Sequence, residues 1–125
     1  MVFGSHITLD LNGCNIDKLK NLELHFELLN TLPRRINMTA ITIPYVFPYS
    51  GLIPEDKGIT GFVVIATSHI SVHSFQEKAY CFVDIFSCEA FDTELAIRII
   101  LDTFEPTTHT VHIVSRGIDF PRSPH

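Results

Sequence analysis

Three side chains that are able to react lie close together in the middle of the sequence. Ser68 is followed five residues later by His73, and Cys88 lies fifteen residues beyond that histidine. An oriented serine hydroxyl is a nucleophile when a donor stabilises the oxyanion that forms. A histidine is a base near neutral pH, and a thiol can deliver a proton. This set suits an attack by Ser68 on the backbone carbonyl of Thr67, followed by removal of the Ser68 α-proton, which breaks the chain.

The residues around Ser68 follow a β-strand pattern. On a regular strand successive side chains point to opposite faces of the sheet. The face that carries His73 then also carries His69, Ser71, Phe75 and Glu77. Ser68 falls on the other face, so the sequence predicts a kink or a bulge where the chain would be cut.

Hydrophobic periodicity predicts six strands. They cover residues 3–11, 38–46, 61–66, 69–75, 80–86 and 108–114. Residues 48–58, between the second and third strands, are rich in proline and glycine and are predicted to be irregular. With two helices the order of elements is β-α-β-β-β-β-α-β, which indicates an α+β fold with a mainly antiparallel sheet.

The two predicted helices flank the strand-rich centre. The first begins at a cap formed by Asn15 or Asp17 and ends at Pro33. Its apolar stripe consists of Leu19, Leu22, Phe26 and Leu29. Asp92 caps the second helix. Because two helices cover only one face of a sheet this wide, we expect a two-layer α/β sandwich with its other face left for a partner or a ligand.

Composition narrows the class of protein. The 125 residues are 46% hydrophobic and carry a formal net charge of −5. One domain spanning residues 1–125 is expected, with a loose tail at residues 118–125. Nucleic acid and anionic membrane surfaces attract clustered cations, so neither is expected as the main partner. No apolar run approaches the roughly 20 residues that span a bilayer.

The cysteines and the first residues indicate the compartment. Three cysteines, without a C-x-x-C spacing, favour a reducing environment over a disulfide framework. The first residues lack the basic flank and the cleavage site of a signal peptide. The expected location is the cytoplasm. No close ligand pair of the zinc type accompanies His6, His109 and His112, so no metal site is expected.

The same central segment resembles a known family. Residues 66–77 (ATSHISVHSFQE) and 83–88 (VDIFSC) resemble the prokaryotic S-adenosylmethionine decarboxylase proenzyme family. Weaker matches extend to Gly4, His6 and Asp10 near the start and to residues 111–114 (VHIV) near the end. The resemblance therefore covers nearly the whole domain.

The resemblance implies a role for each matching residue. Ser68 matches the serine that becomes a pyruvoyl group when the chain is cut between Thr67 and Ser68. His73 matches the processing histidine, and Cys88 matches the catalytic proton donor. Thr60 stands where the family usually has a serine that assists processing.

Three residues match substrate-binding positions of the family. Phe75 stands where a tryptophan stacks on adenine, and Glu77 stands where a glutamate holds the ribose. Phe47 is a candidate for a second stacking aromatic, and the loop after it is longer than usual. Besides Phe75 and Thr60, two further residues depart from the family pattern: Thr67 replaces a glutamate, and Gln76 replaces a proline.

The implied activity is pyruvoyl-dependent decarboxylation of S-adenosylmethionine, which yields the aminopropyl donor for spermidine. A pyruvoyl group forms a Schiff base with the substrate amine and accepts the electrons released with carbon dioxide. The implied assembly is a homodimer of processed chain pairs, an αββα sandwich. Two alternatives stay open: a pyruvoyl-dependent arginine or ornithine decarboxylase, favoured by Thr67 and Gln76, and an uncut, non-catalytic relative that binds a nucleoside.

Overall fold

A six-stranded antiparallel sheet forms the centre of the protein. The computed structural model describes residues 3–121, so residues 122–125 of the predicted loose tail lie outside it. The strands are β1 (Gly4–Asn12), β2 (Tyr45–Tyr49), β3 (Gly58–Ile65), β4 (Ser68–Phe75), β5 (Tyr80–Ser87) and β6 (Thr108–Arg116). Their order in the sheet is β2-β3-β4-β5-β1-β6, and every neighbouring pair is antiparallel. The predicted α+β class is confirmed.

Three α-helices belong to the described part of the chain. They are α1 (Ile16–Leu19), α2 (Leu22–Arg35) and α3 (Thr93–Phe104), and two short 3-10 helices cover Pro54–Asp56 and Gln76–Lys78. Asp92 caps α3 as predicted, since its side chain accepts a hydrogen bond from the Leu95 N–H. None of the helices in residues 3–121 is long and apolar enough to cross a membrane.

The core lies between the sheet and the helices. Alternate residues of the inner strands are buried against α2 and α3, as period-two side-chain geometry requires. In β1 these residues are Ile7, Leu9 and Leu11, which have no exposed surface. The helices thus cover one face of the sheet, and the two-layer prediction is confirmed.

The other face of the sheet, named here the open face, is rich in exposed aromatic side chains. Tyr45, Phe47, Phe62 and Phe82 are each at least 37% exposed. Tyr45 stacks on Phe62, with ring centroids 5.7 Å apart. Exposed apolar side chains grouped in this way are typical of a surface that binds a partner or a ligand.

The first predicted helix is in fact two helices. Asn15 caps α1, whereas Asn21 has an extended backbone, accepts a hydrogen bond from the Leu24 N–H and caps α2 separately. Of the predicted stripe, Leu19 and Leu29 are fully buried as expected, whereas Leu22 is 43% exposed. The side chains that α2 buries are His25, Leu28, Leu29, Leu32 and Pro33.

The prediction that the helix ends at Pro33 was also wrong. Pro33 lies inside α2, which continues to Arg35. The backbone N–H of Met38 then turns back and donates to the Pro33 carbonyl at 2.8 Å, which closes the end of the helix.

The predicted strand at residues 38–46 does not form as expected. Only Ala40 makes an isolated bridge, to Ile65, and β2 begins at Tyr45. Pro44 explains the late start, because a proline has no N–H to donate to the ladder. Pro48 is tolerated within β2 because β2 is an edge strand. Within residues 48–58, which were predicted to be irregular, the end of β2 and a 3-10 helix are regular.

A buried histidine ties α2 to β4. His25 has no exposed surface, and its Nδ1 atom lies 2.7 Å from the Asn21 carbonyl oxygen. Since a carbonyl only accepts, Nδ1 carries the proton. The neutral Nε2 atom therefore accepts from the Ser74 hydroxyl at 2.5 Å. Burial lowers the pKa of His25, although its hydrogen bond to Asn21 acts in the opposite direction.

This lowered pKa gives stability a defined pH dependence. The folded state prefers neutral His25, so the full stabilisation is present above pH 6.5, the ordinary pKa of histidine. We expect the free energy of unfolding to fall as the pH drops from there through the folded pKa, by about 1.4 kcal/mol per unit of pKa lowering. Urea denaturation at a series of pH values in this range measures the free energy of unfolding.

The variant His25→Gln should show a shallower pH slope than the unsubstituted chain. His109→Gln, a change at an exposed position on β6, is the matched control and should keep the original slope. An unchanged slope in His25→Gln would show that another group carries the titration.

Candidate active site

The bond predicted to break lies at the turn between β3 and β4. Ile65 and Ser68 are the last opposed pair of the ladder, and the exposed residues Ala66 and Thr67 connect them. Ser68 is 6% exposed, and its hydroxyl has no hydrogen-bond partner among the described residues. An unpaired buried hydroxyl is unfavourable, so structural hydrogen bonding does not account for this serine.

Cys88 lies against the same turn. Its thiol donates to the Ala66 carbonyl oxygen, with a distance of 3.3 Å from Sγ to oxygen. Burial by itself raises the pKa of the Cys88 thiol. Hydrogen bonding by the Thr67 side chain and backbone outweighs burial and lowers that pKa. The Ser68 hydroxyl adds a smaller effect in the same direction because it lies near the thiol, although it makes no hydrogen bond of good geometry. The turn therefore holds a thiol that is more acidic than an ordinary cysteine.

The chain is regular on the far side of the turn. Every residue from Ser68 to Phe75 is paired with β3 in an unbroken register, so the predicted kink or bulge is not present in β4. The change of direction is confined to the turn at residues 66–67. Ser68 faces the helices, whereas His73 faces the opposite side, as the alternation of buried and exposed residues shows.

Thr60 and His73 form a second pair, in the middle of the open face. They are directly opposed in the ladder between β3 and β4. The Thr60 hydroxyl and the His73 Nδ1 atom are 3.2 Å apart, which is a hydrogen bond. Phe47 is the next residue in this row on one side, and Phe82 on the other. The structure thus brings together the two residues that resemblance assigned to processing.

The two pairs are separate within one chain. Ser68 and His73 are five positions apart on the same strand, which corresponds to about 17 Å. A hydrogen bond spans about 3 Å, so His73 does not reach Ser68 in the same chain. The predicted catalytic residues therefore form two half-sites: Thr67, Ser68 and Cys88 at the end of the sheet, and Thr60 with His73 at its centre.

A groove of about 400 Å³ lies beside the Thr60–His73 pair. The predicted stacking residues Phe47 and Phe75 both line it. Glu77 does not; it lies in the 3-10 helix Gln76–Lys78 and is exposed. Of the three predicted substrate-binding residues, the structure therefore places two in the groove and one outside it.

The groove also contains residues that sequence analysis did not identify. Tyr49 and Asp56 both line it, although both fell in the segment predicted to be irregular. Their proximity to Phe47 along the chain was the available signal. It was insufficient because Asp56 and Phe75 are far apart in sequence and meet at the groove only through the path of the loop at residues 50–57.

The fold and the paired residues place the chain in a defined class. Its fold is similar to that of the adenosylmethionine decarboxylase of Aquifex aeolicus, with a TM-score of 0.80 and 28% identity over 99% of this chain and 98% of that one. The family model described as S-adenosylmethionine decarboxylase matches residues 5–117.

Relatives of known name agree with this match. The S-adenosylmethionine decarboxylase proenzyme of Thermodesulfovibrio yellowstonii is 32% identical over 118 residues, which cover 92% of this chain and 82% of the relative. The proenzyme of Pyrococcus abyssi is 32% identical over 117 residues, 93% and 80% of the two chains. The chain belongs to the S-adenosylmethionine decarboxylase family, and the resemblance found in the sequence is confirmed.

The three thiols should react at very different rates. Burial raises the pKa of Cys14 to about 11, and it also raises the pKa of the fully buried Cys81, whereas the pKa of Cys88 is lowered. Because the thiolate is the reactive form, we expect iodoacetamide near neutral pH to alkylate Cys88 at least about 100-fold faster than the other two. Peptide mass spectrometry measures the rates.

The variant Cys88→Ser should remove the fast phase and leave the slow ones. Equal labelling of Cys14 and Cys88 in the folded protein would contradict the assignment of the acidic thiol.

Proposed function

We propose that the protein is a self-processing, pyruvoyl-dependent decarboxylase whose substrate is S-adenosylmethionine. The observation that carries the proposal is the Ser68 hydroxyl, buried and without a partner, next to an exposed turn and an acidic thiol. Family membership and the names of the relatives support the substrate.

Processing uses only residues of the chain and water. The Ser68 hydroxyl attacks the Thr67 carbonyl carbon, the amide bond breaks, and an ester replaces it while the Ser68 nitrogen becomes an amine. A base removes the Ser68 α-proton, and the Thr67 carboxylate leaves. Water then replaces the nitrogen of the resulting dehydroalanine, ammonia departs, and a pyruvoyl group starts the second chain.

Thr60 and His73 supply the donor and the base for this sequence. The Thr60 hydroxyl donates a hydrogen bond to the oxyanion. The His73 imidazole acts as the base that takes the α-proton. Because their own Ser68 lies about 17 Å away, they act on the Ser68 of a second copy. The active site is then complete only in a dimer.

Packing two open faces together satisfies this requirement. A two-fold axis that runs across the strands, midway between the two half-sites, maps each half-site opposite the other half-site of the partner. The exposed aromatic rings Tyr45, Phe47, Phe62 and Phe82 become buried at the same time. The assembly is an αββα sandwich, a homodimer of processed chain pairs.

Substrate and product chemistry follow from the same arrangement. The pyruvoyl group supplies an electron sink for the charge left when carbon dioxide departs. Cys88, with its lowered pKa, returns a proton to the substrate α-carbon. Phe47 and Phe75 stack on the adenine, and Glu77 contributes a carboxylate at the rim. The product is the aminopropyl donor for spermidine, made in the cytoplasm.

Cleavage is tested by intact mass. The purified protein should contain two chains, one ending at Thr67 and one starting at a residue that borohydride reduces. Ser68→Ala should give a single uncut chain, since the attacking oxygen is absent, whereas Ser115→Ala, a change at an exposed serine on β6, should be cut normally. A full-length, uncut unsubstituted protein would contradict self-processing and favour the non-catalytic relative.

The substrate is tested on the processed protein. Release of carbon dioxide from S-adenosylmethionine should exceed release from arginine and ornithine by at least about 100-fold. Thr67 in place of the family glutamate motivates the two basic amino acids as competitors. Faster release from arginine or ornithine would be consistent with pyruvoyl-dependent decarboxylation but would contradict S-adenosylmethionine as the substrate.

Mixed dimers test whether the site is shared. When a His73→Ala chain is co-expressed with a Ser68→Ala chain, the His73→Ala chain should be cut, because its Ser68 meets the intact His73 of its partner. Differently tagged chains and mass spectrometry show which one is cut. Co-expression of His73→Ala with the double variant Ser68→Ala/His73→Ala should yield no cleavage. A His73→Ala chain that stays uncut beside Ser68→Ala would place processing within one chain.

A further inference from the structure

We propose that Asp56 selects for positive charge in the ligand and faces the sulfonium of S-adenosylmethionine. The inference deepens the proposed function and rests on it for the identity of the ligand. Its basis is the composition of the groove beside Thr60 and His73. Among the described residues that line this groove, Asp56 is the only acid, and it stands among the rings of Phe47, Tyr49 and Phe75.

The position of Asp56 is set by the fold of its loop. Gly51 has φ +80°, and a β-carbon at Gly51 would lie 2.7 Å from the Ile53 carbonyl oxygen and 3.0 Å from the Asp56 β-carbon. The turn at Gly51 is therefore packed against Asp56 and requires glycine. The loop is also held from the other side, since the Gln76 N–H donates to the Lys57 carbonyl at 3.3 Å.

The Asp56 carboxylate has no structural partner among residues 3–121. The ammonium group of Lys78 forms an ion pair with the neighbouring Glu55 at 3.3 Å and not with Asp56. Asp56 also does not cap its own 3-10 helix, which begins after Ile53 without a side-chain hydrogen bond. A carboxylate that performs no structural task is available to a ligand in the groove that it lines.

Aromatic rings and a carboxylate together form an environment for a cation. The π-face of a ring attracts positive charge, and a carboxylate in a partly enclosed groove does so more strongly than in water. S-adenosylmethionine carries its sulfonium directly on the 5′-carbon of the adenosine, so a groove that stacks the adenine brings the sulfonium near Asp56. Glu77 is a poorer candidate for this task because it is exposed and outside the groove.

The test compares two ligands that differ in charge at sulfur. S-adenosylhomocysteine has a neutral thioether where S-adenosylmethionine has a sulfonium. Binding is measured by calorimetry on the uncut Ser68→Ala chain, so that no turnover occurs. We expect Asp56→Asn to raise the Kd of S-adenosylmethionine about tenfold and to change the Kd of S-adenosylhomocysteine less than about twofold. Asp56→Glu, which keeps the charge, should restore most of the discrimination.

Asp102→Asn is the matched control. It removes the same charge from an exposed position on α3 and should leave both Kd values unchanged. An equal weakening of both ligands by Asp56→Asn would mean that Asp56 binds the shared nucleoside, which overturns selection by charge. No change in either Kd, or no binding of S-adenosylmethionine to the Ser68→Ala chain, would also overturn it.

A negative result for the role of Asp56 is distinguishable from a negative result for self-processing or decarboxylation. Chain cleavage and carbon dioxide release are scored on the unsubstituted protein, in separate measurements. A protein that cuts itself and decarboxylates S-adenosylmethionine, yet loses no discrimination in Asp56→Asn, would retain its function and refute the role of Asp56.

Discussion

The antiparallel pairing of β3 with β4 is the constraint on which the candidate site depends. Its register opposes Thr60 to His73 and Ile65 to Ser68, and so places one half-site at the centre of the open face and one at the turn. A slip of one residue would move every side chain of the strand to the other face. Gly61 allows α2 to pack closely on this pair of strands, because a β-carbon there would lie 2.9 Å from Leu29 Cδ1 of α2.

Burial gives chemically identical groups different properties in this fold. Cys14 and Cys81 are small core residues whose thiols are held protonated, whereas the turn at residues 66–67 acidifies Cys88. The serines differ in the same way. Ser74 completes a hydrogen bond with His25, while Ser68, equally buried, has no partner among the described residues. The fold therefore singles out one thiol and one hydroxyl, and they are neighbours.

The open face and the separation of the two half-sites pose related problems for a single chain. Its rings would be a liability on an isolated domain, since exposed apolar patches favour association. Its two half-sites are too far apart to work together within one chain. The pairing of two open faces, as proposed above, would resolve both problems at once. In such a dimer the groove beside Thr60 and His73 would be enclosed, and a carboxylate such as Asp56 would act more strongly on a charged ligand there than on an open surface.

The sequence by itself determined the family, the fold class and five of the six strands to within a few residues. Alternation and capping are local patterns, and residues 66–77 and 83–88 form a contiguous motif. The predictions of the second strand and the first helix were wrong at Pro44, and at Asn21 and Pro33, respectively. The effect of each of these residues depended on what packs around it.

Only the tertiary structure decided how the site residues are grouped. Strand parity separated Ser68 from His73 by face, but the distance between the two half-sites follows from the register of β3 and β4. The partners of His25 and the place of Asp56 in the groove depend on residues dozens of positions away, such as Ser74, or on the path of a loop. Contacts between distant parts of the chain arise from packing, and packing leaves no periodic signal in the sequence.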